Sequence, residues 1–122
     1  MTAWTSDELN RIGNADELQI QSRRGDGTLR APVVIWVVRH GDGLYVRSVN
    51  GRESSWFRGV QGRHEGHIRA GGIKKDVDLI ETDDMTDEID GEYRRKYRHY
   101  SAPVDHITSP QARAATLKLV PR

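Results

Sequence analysis

The spacing of apolar residues along the chain predicts which segments form strands. The longest apolar run covers residues 33–39, and its β-branched content predicts a central strand covered on both faces. Turn residues follow at 40–43, and apolar and polar side chains then alternate over 44–49. We therefore predict an antiparallel hairpin over residues 33–49. The same criteria predict further short strands at 17–23, 67–70, 74–82 and 116–120.

Sequence signals typical of helices occur at three places along the chain. A capping box formed by Thr5 and Glu8 predicts a helix over 5–12. Ser54 or Ser55 is placed to cap a short helix over 55–61. A third helix is predicted over about 84–99, because apolar side chains recur every fourth residue at Met85, Ile89, Tyr93 and Tyr97.

The order of these elements predicts an α+β fold. Six short strands are interspersed with helices at the start, in the middle and near the end of the chain. Antiparallel strands of this number close most easily into a small barrel. We therefore expect one domain over residues 1–122, with a six-stranded antiparallel barrel over 17–120 and the helices on its flanks.

Composition narrows the classes of protein that fit. The chain has no cysteine, which excludes disulfides and thiolate metal sites. Mean hydropathy is −0.74 and no apolar run is long enough to span a membrane, so we predict a cytoplasmic protein without membrane contact. The net charge of +1 supplies no general attraction for nucleic acid, and we predict none as a partner.

Residues 47–58 combine side chains that bind anions. The first N–H groups of the predicted helix bind anions, and arginine binds phosphate or carboxylate through paired hydrogen bonds. Trp36 and Trp56 supply flat surfaces for a ring system. The alternative is that the tryptophans belong to the core and the arginines are solvated. The residues predicted to bind a ligand are Trp36, Arg47, Ser48, Arg52, Ser54, Ser55, Trp56 and Arg58.

Two other clusters have simpler explanations. His64 and His67 are three residues apart, but neighbouring glycines favour loop or strand, where the two rings point apart. No third ligand is near them in the sequence, and we predict no metal site. The basic and aromatic stretch 93–100 is explained by the helix dipole and the tyrosine stripe. Tyr97 and Tyr100 are better candidates for a pocket or subunit contact.

Short motifs occur in a particular order along the chain. They are Trp4, Gly25-Asp-Gly27, Arg30-x-Pro32, Ile35-Trp36, Leu44 to Ser48, Trp56-Phe-Arg58, Gly71-Gly72 and Tyr93-Arg-x-Lys-Tyr97. Their order and spacing resemble a bacterial family of uncharacterised domains, which look like members of the FMN-binding split-barrel superfamily. The match covers nearly the whole chain, from Trp4 to Leu119.

This resemblance implies a split barrel that forms a homodimer, with a ligand groove at the subunit interface. Flavin and deazaflavin members hold the cofactor phosphate at the turn after the third strand and the following helix start. Ser48, Gly51 and Trp56-Phe57 are similar to the corresponding element of the deazaflavin-dependent nitroreductases. Arg58 and Gly59 stand where those enzymes have His and Asn.

Three functions remain open from the sequence. The first is an oxidoreductase-type protein that uses FMN or a deazaflavin, coenzyme F420. In this hypothesis Arg47, Ser48, Arg52 and Ser54 or Ser55 bind the phosphate, and the two tryptophans flank the ring. The second is a cofactor-free isomerase, cyclase or lyase acting on a small metabolite in the same pocket. The third is a non-catalytic dimer that binds a small ligand.

Overall fold

Seven antiparallel strands form one sheet in the computed structural model, which describes residues 3–122. Their order across the sheet is β2-β1-β5-β6-β7-β4-β3. Because β2 and β3 are consecutive in the chain, the two edges of the sheet meet and nearly close a barrel. The predicted α+β antiparallel barrel with flanking helices is confirmed. The strands are β1 (Leu18–Ser22), β2 (Val33–Ile35), β3 (Val37–His40), β4 (Gly43–Arg47), β5 (Glu65–Ala70), β6 (Ile73–Glu81) and β7 (Thr116–Pro121).

The apolar run 33–39 is not the single central strand that the sequence suggests. It is broken at Trp36 into two edge strands, so the sheet has seven strands rather than six. β2 pairs only with β1 and β3 pairs only with β4. An apolar run looks the same in the sequence whether it forms one buried strand or two short strands that turn a corner.

The predicted hairpin is confirmed in β3 and β4. Val37 lies opposite Val46, and His40 lies opposite Gly43 across the turn. All five residues of β4 are buried, because β4 also pairs with β7 and both of its faces are covered. The end of β4 is therefore a rigid point from which the following residues leave the barrel.

Within residues 3–122, five α-helices flank the barrel: α1 (Ser6–Gly13), α2 (Ser55–Arg63), α3 (Thr86–Lys96), α4 (Ser101–Ile107) and α5 (Pro110–Arg113). The capping box at Thr5 is present as predicted. α3 is shorter than predicted, since Asp84 N–H donates to the Thr82 hydroxyl and Met85 adopts a left-handed conformation before the helix begins. The chain turns at Tyr97 and begins α4, which the sequence pattern does not distinguish from α3.

Two apolar clusters hold these elements together. The larger fills the barrel and includes buried residues of α1 and α2. The smaller lies between the β3–β4 hairpin and helices α3 and α4, with Trp36 packed against it. In the described part of the chain, no helix is long and apolar enough to cross a membrane.

Candidate functional site

An apolar groove lies between β2, the end of β4, the start of α2 and helix α4. Its volume is about 330 Å³, within the range of small-molecule sites. The chain positions it at the corner where the barrel nearly closes, since β2 is an edge strand. Residues 33–36 and 47–50 line it, together with Ser54, Trp56, Pro103 and Ile107.

Trp36 forms a flat wall of this groove. Its indole stacks on the ring of Tyr97, with centroids 3.9 Å apart and planes 4° from parallel. Tyr100 packs against it at 5.8 Å in a tilted arrangement. The Tyr97 hydroxyl lies 2.9 Å from the carbonyl oxygen of Asp16, and burial raises the pKa of this phenol, which therefore stays a donor. Trp36 is thus held in place from behind while one part of it remains accessible.

Trp56 is the second aromatic residue of the lining. It lies in the first turn of α2 and packs against the barrel cluster, edge-on to Phe57 at 5.9 Å. Phe57 is fully buried and anchors this turn of the helix. Trp56 is only half-buried, so part of its ring faces the groove.

Two serines form the polar part of the lining. The hydroxyls of Ser48 and Ser54 are 2.6 Å apart and hydrogen-bonded. Ser54 occupies the N-cap position of α2 but makes no side-chain cap, contrary to the expectation that Ser54 or Ser55 caps this helix. Ser48 competes for the Ser54 hydroxyl, and the helix start is left without that acceptor. The hydroxyl groups of Ser48 and Ser54 therefore place hydrogen-bond donors and acceptors next to the apolar part of the groove lining.

Arg47 is 1% exposed and faces the protein interior. Its Nε donates to the Thr116 hydroxyl at 3.0 Å, and its terminal nitrogens donate to the carbonyls of Ile107 and Thr86, each at 3.1 Å. It also forms a buried ion pair with Asp90. These contacts connect the end of β4 to α3, α4 and β7.

Three of the predicted site residues lie outside the groove. Arg52 pairs with Glu81 at 2.8 Å and donates to the Ala114 carbonyl at 3.0 Å, in a separate depression. Ser55 and Arg58 are exposed on α2. The groove therefore brings together Trp36, Arg47, Ser48, Ser54 and Trp56.

The sequence patterns missed several lining residues. The apolar run predicts Val33, Val34 and Ile35 in a central strand, and no sequence pattern predicts α4, which contributes Pro103 and Ile107 to the groove. The sequence offers one usable signal for α4. Proline is compatible with the first turn of a helix, and Pro103 is the third residue of α4.

The histidines with side-chain partners lie outside the groove. His40 pairs with Glu92 at 2.9 Å, His64 with Glu81 at 2.9 Å and His67 with Asp76 at 3.1 Å. The hydrogen bonds to His64 and His67 lower the pKa values of the Glu81 and Asp76 carboxyls. No metal-binding group of three or more His, Cys, Asp or Glu residues occurs within residues 3–122.

Solved structures with similar folds are distant in sequence. The conserved hypothetical protein Rv2991 from Mycobacterium tuberculosis is 9% identical with a TM-score of 0.63, covering 99% of this chain and 82% of that one. The heme storage protein HutZ from Vibrio cholerae is 13% identical with a TM-score of 0.62, covering 100% and 92%. An F420 reductase is 13% identical with a TM-score of 0.49, covering 93% and 90%. No curated protein matches the chain.

One family matches almost the whole sequence. Its description is "Uncharacterized protein conserved in bacteria (DUF2255)", and the match covers residues 8–119. The chain belongs to this family. The likeness to solved structures establishes the barrel fold, at identities where a shared fold does not carry a shared function.

Proposed function

For this member of the DUF2255 family, we propose that the groove binds a planar aromatic cofactor of the FMN or deazaflavin (F420) class. The protein would then be an oxidoreductase-type split-barrel protein. The observation that carries the proposal is the Trp36–Tyr97 stack. It presents a preformed aromatic surface inside an apolar groove of about 330 Å³.

Preorganisation favours a flat ligand over a flexible one. Stacking against Tyr97 holds the indole of Trp36 before any ligand arrives, so little side-chain entropy is lost on binding. Trp56 offers a second aromatic contact from α2. A ring system placed in the groove would gain dispersion and apolar burial against both residues.

The hydroxyl pair of Ser48 and Ser54 complements a ring with a polar edge. One hydrogen atom is engaged between the two oxygens, which leaves one O–H and several lone pairs free. Flavins and deazaflavins carry carbonyl and N–H groups along one edge. Asn50 adds an amide to the same part of the lining.

The residues of the lining favour cofactor chemistry over acid–base catalysis by the protein. Within the described residues, the groove is lined by no histidine, lysine, tyrosine or carboxylate that could move a proton. A bound flavin or deazaflavin would supply hydride transfer, and the chain would bind and orient it. The cofactor-free isomerase, cyclase or lyase hypothesis has no such support.

A second copy of the chain is the proposed partner that covers the groove. Val34 and Val49 line it and are 54% and 41% exposed, and Tyr100 beside Trp36 is 56% exposed. Large apolar side chains gathered on one surface are typical of interfaces. We expect sedimentation to show a dimer, and Val34→Glu to shift it toward monomer; an unchanged monomeric wild type would exclude this part of the proposal.

Titration with FMN and F420, followed by ligand fluorescence, tests the cofactor proposal. We expect saturable binding of one of them, and Trp36→Ala to weaken it by about tenfold or more. Trp4→Phe is the matched control, because Trp4 donates to the Leu119 carbonyl away from the groove. Absence of binding by both cofactors would contradict the proposal. Binding without any redox turnover would favour the non-catalytic ligand-binding hypothesis.

A further inference from the structure

The arginines predicted to bind an anion are already engaged by the protein. Arg47 is enclosed by Asp90 and three oxygen acceptors, and Arg52 pairs with Glu81. A phosphate would have to displace these partners. The anionic part of a ligand therefore needs a different cation.

Arg30 differs from every other arginine among residues 3–122. Its guanidinium forms no hydrogen bond or ion pair with the described residues, yet the side chain is partly shielded from solvent and its Nε is buried. The other arginines that lack a side-chain partner are exposed: Arg58, Arg69, Arg94 and Arg98.

A second polar atom without a partner lies beside it. Ser22 is 4% exposed, and its hydroxyl has no hydrogen bond among the described residues. Both atoms face Gly59 of α2, where a Cβ would be 2.8 Å from Arg30 Nε and 2.8 Å from Ser22 Oγ. Buried donors without acceptors are rare in native proteins and cost free energy. An oxyanion would supply the acceptor that Arg30 Nε and the Ser22 hydroxyl lack.

Arg30 and Gly59 are both close in sequence to residues that line the groove. Arg30 precedes the groove residue Val33 by three positions, and Gly59 follows the groove residue Trp56 by three positions. The helix rise separates Gly59 from Trp56 by about 4.5 Å along the α2 axis. Three residues of chain separate Arg30 from Val33 by at most about 10 Å. Arg30 and Gly59 are therefore each close in the chain to residues that line the groove.

We propose that Arg30, with Ser22, binds the phosphate of the groove ligand. This inference rests on the proposed function, and it names the anionic subsite that the groove lining lacks. The planar fork of a guanidinium binds phosphate through two parallel hydrogen bonds. An anion here would accept from the Arg30 side chain and from the Ser22 hydroxyl.

Two pairs of ligands that differ in phosphorylation provide the test. FMN is compared with riboflavin, and the deazaflavin 5′-monophosphate with its phosphate-free alcohol, by fluorescence titration of the full-length protein. The wild type should bind the phosphorylated member of one pair about 10- to 100-fold more tightly. Arg30→Gln should abolish that preference while affinity for the unphosphorylated member changes less than threefold.

A second variant tests the same subsite without removing the arginine. Gly59→Ala places a methyl group against Arg30 Nε and Ser22 Oγ, and should reduce the phosphate preference. Arg30→Lys keeps the charge but not the fork and should retain part of the preference. Arg58→Gln is the matched control, because Arg58 is exposed on α2, the helix that contains Gly59. Circular dichroism establishes that each variant is folded.

The outcomes separate the inference from the function on which it rests. If neither pair binds, the proposed function and the Arg30 subsite both fail. If a flavin binds but phosphate gives no preference, only the subsite fails. It also fails if Arg30→Gln and Gly59→Ala keep the wild-type preference, or if Arg58→Gln removes it.

Discussion

Arg47 lines the groove, Arg30 precedes the groove residue Val33 by three positions, and the two guanidiniums are in opposite situations. Arg47 at the end of β4 has an acceptor for each of its three nitrogens and a buried carboxylate, Asp90. Arg30 has a buried Nε without an acceptor, next to the unpartnered hydroxyl of Ser22. The first arginine connects the end of β4 to α3, α4 and β7, and the second has unused hydrogen-bonding capacity.

This contrast gives a criterion for distinguishing an arginine that stabilises a fold from one that is available to a ligand. Charge and position relative to glycine turns do not separate them. What separates them is whether the protein itself supplies acceptors. A network with every donor paired has no free donor for a ligand, whereas an unpartnered buried donor marks a place where an acceptor is missing.

Replacing Arg47 should lower the free energy of unfolding more than any other substitution considered below. Arg47→Met leaves the buried Asp90 carboxylate with Arg113, 3.3 Å away, as its remaining cation. Breaking a buried pair in this way costs about 3–5 kcal/mol of unfolding free energy, measured by urea denaturation. Arg52→Met is the matched control, since its partly exposed pair with Glu81 should contribute less than about 1 kcal/mol. Equal losses for the two variants would contradict the structural role of Arg47.

Trp36 is intermediate between an enclosed and an available side chain, because it packs against Tyr97 while part of its ring remains accessible. Trp36→Ala removes the stack on Tyr97 and should lower the unfolding free energy by about 2 kcal/mol, less than for a fully buried tryptophan. Trp36→Phe should recover about half of that loss, since a ring still faces Tyr97. Thermal denaturation monitored by circular dichroism measures both. If Trp36→Ala costs nothing, the stack does not hold this wall.

Lys96 is a third cation near the same wall, with an intermediate degree of burial. Its Nζ donates to the Val37 carbonyl at 2.6 Å, and desolvation lowers its pKa to about 8, with Asp16 opposing the shift. Between this pKa and the ordinary value of 10.5, the unfolded chain binds more protons than the folded one, so stability rises with pH. The rise is on the order of 1 kcal/mol, because the side chain is only half-buried and water screens it.

Lys96→Met should remove most of this increase between about pH 8 and 10.5, the window that the two pKa values of Lys96 define. Urea denaturation at the two ends of the window measures it. Lys118→Met is the matched control, because Lys118 is exposed on β7 and should leave the pH dependence intact. The same slope in Lys96→Met and the wild type would show that Lys96 is not desolvated.

Arg30→Gln should change the free energy of unfolding least among these substitutions. A side chain without a partner contributes little to folding, so the unfolding free energy should stay within about 0.5 kcal/mol of the wild type or rise. Urea denaturation of both proteins in parallel measures the difference. A loss above about 2 kcal/mol would mean that Arg30 has a structural partner, and the contrast with Arg47 would disappear.

Local patterns predicted much of the fold and part of the site. The capping box at Thr5 and the hairpin turn at residues 40–43 depend on neighbours in sequence, and both are present. Trp36, Ser48, Ser54 and Trp56 lie in one groove because the hairpin and the start of α2 are close in sequence. The break at Trp36 was missed, since it depends on which strands close the barrel.

The role of Arg47 could not be read from its surroundings in sequence. Its acceptors lie far along the chain, with Asp90 separated by 43 positions and Thr116 by 69. The groove residues Pro103 and Ile107 also come from a distant helix. A pattern of neighbouring residues has no information on such partners.

The sequence alone predicts the β-rich character of the chain, its main turns, and four residues of the groove lining, Trp36, Ser48, Ser54 and Trp56. These features follow from local propensity and the spacing of apolar side chains. The enclosure of Arg47 and the buried Nε of Arg30 that lacks an acceptor are features of the tertiary structure. Burial and the supply of acceptors depend on segments brought together from distant parts of the chain.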